Sequence, residues 1–296
     1  MRLIPKKRSK YLEYISLRLI EEFLSIIPRP IALKVGESVG AILYLTGLYR
    51  RTALRNMEHI GLWDKQQIEK NLQGLYRNIG RYATDFLRRS KKLPPYQIIN
   101  FELVEAAMSE GKGLIVLLAH YGNWELLAEV FGRAVNDLNV IAKPMKNELV
   151  DKWLGKKRSR SAVKTIYTKE ALRKMLEVIK RNGIIAILID QHAGRHGTMV
   201  PFLGREANTV RTVAGIARKT DCSVLAISAV MDDKDNSYNI ILEKPAKPDL
   251  HDKSEEECIA EYQRIHNEVI SEWIRKDPQH WFGWFHKRFR GTINYS

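Results

Sequence analysis

The chain has 296 residues, 45% of them hydrophobic and 28% charged, a balance that excludes both a disordered polymer and a wholly membrane-embedded chain. Lys and Arg number 49 against 34 Asp and Glu, a net charge of +15 that favours an anionic partner: nucleic acid, acidic phospholipid, a phosphorylated substrate or an acidic carrier protein. The two cysteines, Cys222 and Cys258, supply neither a disulfide framework nor a repeated metal spacing, so a reducing compartment is expected.

In chain order, Arg2, Lys6, Lys7, Arg8 and Lys10 precede an apolar stretch in the manner of a signal peptide, but Glu13, Arg18, Glu21 and Glu22 interrupt it. The next apolar span, residues 23–49, is broken by Pro28, Arg29, Pro30, Lys34 and Glu37, and its uncharged remainder falls short of the ~20 residues that a spanning helix needs. A basic start followed by apolar helices fits either a helix lying on an anionic bilayer or one docked in the protein's own core. Residues 10–92 read as helices, with Leu72, Leu75, Tyr76, Ile79, Tyr82, Ala83 and Phe86 at three- and four-residue spacing before Pro94 and Pro95. From Gly113 short apolar runs, at 113–119, 138–142, 184–189 and 224–230, alternate with helical segments, which implies an α/β fold with helices packed on a central sheet. The expected organisation is a helical, membrane-associating region over residues 1–95 and an α/β domain over 96–296, forming one continuous unit. A last helix runs from about Ser254, whose spacing to Glu257 is that of a capping box, to Pro278. The aromatic and basic tail, residues 281–290, suits either the core or the lipid headgroup level.

The informative stretch is Gly113-Leu-Ile-Val-Leu-Leu-Ala-His120-Tyr-Gly-Asn-Trp-Glu125. A buried strand delivers His120 at its carboxyl end, Gly122 permits a tight turn and Asn123 can cap the following helix. That edge is where open α/β sheets place ligands. In one continuous helix His120 and Glu125 would diverge by ~140°, whereas across a strand-to-helix turn they can cooperate. Glu125 could then accept a hydrogen bond from the imidazole and make its other nitrogen a general base for a hydroxyl. The nearby helix N-terminus would favour negative charge developing on a tetrahedral intermediate. The plainer alternative is a satisfied strand-end histidine and a glutamate that favours a helix start.

This stretch resembles the His-x-x-x-x-Asp/Glu motif of the lysophospholipid acyltransferase superfamily, in the form found in bacterial lipid A late acyltransferases. Further blocks follow in the family's order: Arg51-Thr-Ala-Leu-Arg-Asn-Met-Glu; Lys143-Pro-Met-Lys-Asn-Glu-Leu-Val-Asp-Lys with Arg158 and Arg160 after it; Leu188-Ile-Asp-Gln-His-Ala-Gly-Arg-His-Gly; and Val200-Pro-Phe-Leu-Gly-Arg. The departures are Lys143, where Arg is commoner, and His192 within the third block. The resemblance implies a mixed central sheet flanked by helices, like that of glycerol-3-phosphate acyltransferase, and a helical N-terminal region. It implies that His120, oriented by Glu125, deprotonates an acceptor hydroxyl, which attacks the thioester of an acyl carrier protein; acyl-CoA is the alternative donor, and no cofactor is needed. Arg158, or Arg160, would hold a phosphate or the oxyanion, Asp190 would orient an arginine or serve structure, and Gly204 with Arg205 would belong to the acceptor site or to a turn. The implied setting is the cytoplasmic face of the bacterial inner membrane, bound peripherally, with a lipid A precursor as acceptor.

Other readings carry less. Asp190, His192 and His196 could supply two histidines and a carboxylate to a metal, but Gly194 and Gly197 argue for a loop and no metal is expected. Nucleic acid is not an expected partner, because no zinc-finger spacing, RNP-like block or recognition helix is found. An acyltransferase of another bacterial glycolipid or aminolipid would share the same pair, and an idle membrane-binding protein is the alternative outside catalysis.

Overall fold

The computed structural model describes residues 6–89, 92–168 and 171–295. Arg2 lies outside them, as do the side chains of Lys6, Lys7 and Arg8. Four helices come first: α1 (Lys6–Ile26), α2 (Arg29–Thr46), α3 (Arg50–Ile60) and α4 (Lys65–Leu87). Glycines in the left-handed conformation, Gly47 and Gly61, end α2 and α3, and an Asp64 and Gln67 capping box starts α4. Helix α2 packs against α4 where Gly36 meets Gly80; a Cβ on Gly80 would lie 1.9 Å from the Gly36 carbonyl oxygen, so only glycine allows the approach. One side of α1 and α2 is apolar and bare: Leu12, Ile15, Leu19, Phe23 and Ile26, then Ile31, Ile42 and Leu45, are all exposed. The docked expectation therefore holds for one face of this region, and the other face is left unburied. Among the described residues no single helix is long and apolar enough to cross a membrane; α2 and α3 together meet length and composition but are bent by 84°.

The α/β part follows as β1 (Tyr96–Ile99), α5 (Glu102–Ser109), β2 (Leu114–Leu118), α6 (Trp124–Val135), β3 (Leu138–Ala142), α7 (Glu148–Ser159), β4 (Val163–Tyr167), α8 (Ala171–Lys180) and β5 (Ile184–Leu188). A hairpin of β6 (Gly197–Phe202) and β7 (Arg205–Val210) precedes α9 (Thr212–Thr220), β8 (Ser223–Met231), β9 (Tyr238–Glu243) and α10 (Glu255–Lys276). Seven strands form one mixed sheet in the order β1-β9-β8-β2-β5-β3-β4, parallel except for the β8 and β9 pair, and helices flank it as the sequence implied. Strand β2 is buried through its length and β5 over Ile184 to Ile187, which is why they read as continuous apolar runs rather than alternating ones. The short or half-exposed strands β1, β4 and β9 and the β6 and β7 hairpin gave no such signal.

The tail is core. Trp281, Phe282, Trp284 and Phe289 are buried, which overturns the headgroup-level alternative for residues 281–290. It also ties the first helices to the sheet. Asn56 in α3 donates to the Trp284 and His286 carbonyls at 2.8 Å, the Tyr82 hydroxyl of α4 lies 2.7 Å from His280 Nδ1, and Phe282 N–H donates to the His120 carbonyl at 2.7 Å.

Candidate active site

Strands β2 and β5 are parallel neighbours in the register Leu118 to Leu188. Continuing that register by two residues brings His120 level with Asp190, at the carboxyl edge of the sheet centre where α/β folds bind ligands. The carboxylate grips the histidine twice. Asp190 Oδ1 accepts from the imidazole Nδ1 at 2.9 Å and Oδ2 from the His120 backbone N–H at 2.9 Å. Trp281 Nε1 donates to the same Oδ2 at 2.7 Å. With Nδ1 protonated toward Asp190, Nε2 is left with its lone pair on the open side. There the Gln191 amide nitrogen lies 3.4 Å from it, and the Trp124 ring stands edge-on to the imidazole at 5.0 Å between centroids.

The electrostatics follow from this packing. Burial by itself would lower the His120 pKa, but the Asp190 charge and hydrogen bond, with a smaller contribution from Glu125, raise it above its ordinary value. Burial would raise Asp190, yet the histidine, the Trp281 N–H and the His120 backbone N–H hold it down to about 2. The neighbouring His286, 5.9 Å away ring to ring, is pushed lower by burial and by the His120 charge. A persistently ionised carboxylate beneath a strengthened base is the arrangement that general base catalysis needs.

Glu125 is the second residue of α6. The chain reaches it through Gly122, at φ +62°, where a Cβ would strike the Ala229 carbonyl oxygen at 1.9 Å, and through Asn123, whose side chain caps Leu126 N at 3.1 Å. The expected hydrogen bond from His120 to Glu125 is not formed. Arg158 of α7 takes Glu125 instead, with Nη2 donating to Oε1 at 2.6 Å and Nε to Oε2 at 3.2 Å. The physical reason is competition: Nδ1 is already held by Asp190, while a guanidinium offers the carboxylate two charge-assisted bonds at once. The expectation that Asp190 orients an arginine is corrected likewise, since its partners are His120 and Trp281.

The other sequence candidates lie apart. Arg160, exposed at the end of α7, lines a large cavity on the α1 side. Gly204, at φ +75°, turns the β6 and β7 hairpin, and Arg205 donates to the Ile60 carbonyl of α3 at 3.4 Å. His192 Nδ1 accepts from Gly194 N–H at 3.0 Å, and among the described residues no three His, Cys, Asp or Glu side chains are placed to hold a metal ion. Sequence reasoning missed Trp281, Gln191 and Arg288 as parts of the site. Arg288 is wholly buried, lies over the Phe202 ring and donates to the Gln191 carbonyl, so the tail braces the loop that follows Asp190. One signal was available: residues 114–120 and 184–190 are apolar runs of equal length that end in His and Asp, so parallel in-register pairing must bring those two together.

No curated protein matched the chain. A histidine just past the end of β2 with its carboxylate and an adjoining Glu125 and Arg158 pair occupy one sheet edge, and the match to Bacterial lipid A biosynthesis acyltransferase over residues 4–291, nearly the whole length, shows that the chain belongs to that family.

Proposed function

We propose that this acyltransferase moves a fatty acyl chain from acyl carrier protein onto a hydroxyl of a lipid A precursor, a secondary acylation, with His120 as general base and Asp190 as the group that orients it. The observation that carries the reading is the His120 and Asp190 pair, with Nδ1 held at 2.9 Å and Nε2 facing outward. Nε2 accepts the proton as the acceptor oxygen attacks the thioester carbonyl. The tetrahedral oxyanion collapses, the carbon–sulfur bond breaks, and the imidazolium returns its proton to the leaving thiolate. The catalytic pair expected from sequence, His120 and Glu125, thus becomes two pairs. Glu125 positions Arg158, whose Nη1 takes no part in the ion pair and is available to an anionic oxygen of the intermediate or acceptor. Nothing in this cycle calls for a cofactor.

The exposed apolar face of α1 and α2 and the basic residues around it support peripheral binding to the cytoplasmic face of the inner membrane. The test supplies purified protein with labelled acyl carrier protein or acyl-CoA and a lipid A precursor, and reads the product by mass spectrometry. An added acyl mass on the precursor is expected, faster with the carrier. Transfer only to other glycolipids would move the assignment to a different acceptor.

A further inference from the structure

A cavity of about 770 Å³ opens between α1, the end of α4, α6 and α7, away from the sheet edge that holds His120. Nine Lys and Arg side chains line it against three carboxylates, and each carboxylate is already neutralised from within the protein: Glu21 by Arg18, Glu129 by Arg133, and Asp85 by Arg29. The surplus is Lys152, Lys156 and Lys157 of α7, Arg160 just past its end, and Arg88, and none of the five has a carboxylate hydrogen-bond or ion-pair partner among the described residues. Lys157 is the inner one. Its ammonium lies 5.0 Å from the Phe86 ring and 5.8 Å from the Trp153 ring and donates to the Arg88 carbonyl, and burial depresses its pKa despite three nearby glutamates. A partly desolvated ammonium such as that of Lys157, with no carboxylate bonded to it, is costly unless an anion arrives to use it, and the exposed Lys152, Lys156 and Arg160 add charge at the rim.

Two further observations say what kind of anion. The outer wall is α1, which turns Tyr14, Arg18 and Glu21 inward to the cavity and presents Leu12, Ile15, Leu19 and Phe23 bare on its other side. A ligand seated here would lie across α1 from that apolar surface. The volume, within the range of small-molecule sites, suits a small anionic headgroup and is concave where a docked protein would need a projecting surface. The inner wall is built from α6 and α7, the helices that carry Glu125 and Arg158.

We propose that this cavity binds the phosphomonoester headgroup of a lipid whose acyl chains lie along the apolar face of α1, and that the acceptor is anchored here by its phosphate while its hydroxyl reaches His120. The second half rests on the proposed function, in which the acceptor is a lipid A precursor; the first half does not. Two oxygens of a dianionic phosphate gripped by Lys157 and Arg160 would give charge-assisted hydrogen bonds that a neutral headgroup cannot make.

The test has a binding arm and a turnover arm. Full-length protein is titrated by calorimetry with a soluble short-chain lipid phosphomonoester, its neutral dephosphorylated counterpart, and inorganic phosphate. Lys156 and Arg160 are exposed, so K156Q/R160Q keeps the fold; K157Q is the inner variant, checked by circular dichroism. Wild type is expected to bind the lipid phosphomonoester at least about 10-fold tighter than the neutral lipid, the variants to lose about 10- to 100-fold, and inorganic phosphate to compete weakly. In turnover the variants should raise KM for the phosphorylated acceptor and add no further loss once that phosphate has been removed. Equal binding of phosphorylated and neutral lipid overturns the proposal even if acyl transfer proceeds. A raised KM for acyl carrier protein with an unchanged acceptor KM replaces it with carrier docking. Tight phosphomonoester binding without transfer to a lipid A precursor leaves the cavity assignment standing and refutes the acceptor instead.

Discussion

Replacing Asp190 by Asn separates the two carboxylates most sharply, because the amide has nearly the same shape and differs in what its atoms can offer. Two fixed donors, the His120 backbone N–H and Trp281 Nε1, converge on Oδ2, at 2.9 and 2.7 Å. The asparagine carbonyl oxygen must therefore occupy that position, since an NH2 group there would face two donors. The NH2 then falls on the Oδ1 site, 2.9 Å from His120 Nδ1, and donates to it. The imidazole proton is driven onto Nε2, which can no longer accept one. The comparable change in the serine protease triad, which likewise leaves the histidine in the wrong tautomer, lowers kcat by about 10,000-fold. A loss of about 1,000- to 10,000-fold is expected here, about 4–5.5 kcal/mol of transition-state stabilisation at 1.36 kcal/mol per decade. The fold should survive, because both fixed donors keep their acceptor. The assay is initial-rate transfer by purified D190N at saturating acceptor, beside circular dichroism and a melting curve. A folded D190N protein within tenfold of wild type would refute the assignment of His120 orientation to Asp190.

The remaining expectations are smaller in reach. Because the Asp190 pair raises the His120 pKa and only the neutral ring is a base, kcat/KM should climb with pH through an inflection above the ordinary ~6.5, and E125Q, which removes another raising charge, should move that inflection down; an inflection below ~6 in wild type contradicts the reading. The same pairing gives folding stability that is fully present below ~6.5 and fades as pH rises through the raised His120 value, while the Asp190 contribution is present above ~3.9 and is lost as pH falls toward about 2, both readable as melting temperature against pH. R158K should recover little of the activity lost in R158A if the planar two-bond pairing with Glu125 matters, which steady-state kinetics on the pair decides. Gly122→Ala should cost about 2–4 kcal/mol in urea unfolding, from its left-handed backbone and the clash with Ala229, and a loss under ~1 kcal/mol would mean that the turn relaxes. Sedimentation with anionic vesicles should retain part of the protein at high salt, because the bare apolar face of α1 is insensitive to screening; complete release would show purely electrostatic attachment.

The class of fold, and the place of the proposed base His120 at a strand end before a helix, were legible along the chain, because each depends on short-range order. His120 ends an apolar run, Gly122 and Asn123 announce a turn and a helix cap, and runs buried on both faces read as strands at the centre of a sheet. The first helices were legible as apolar segments after a basic start, though not which side would dock. What only the tertiary structure decided is pairing. Nothing local says that β2 and β5 are neighbours, so the carboxylate five residues from His120 looked closer to it than the one seventy residues away. In space the in-register strands reverse that order, and Glu125 goes to Arg158, which offers it two bonds where the histidine had none left. The aromatic tail is the same case: composition left it between lipid and core, and burial against the edge of the site, with Trp281 on Asp190, is a contact between segments that are remote in sequence. Local periodicity fixes which face of an element is apolar; which partner that face meets is set by long-range packing, and one linear pattern does not encode it.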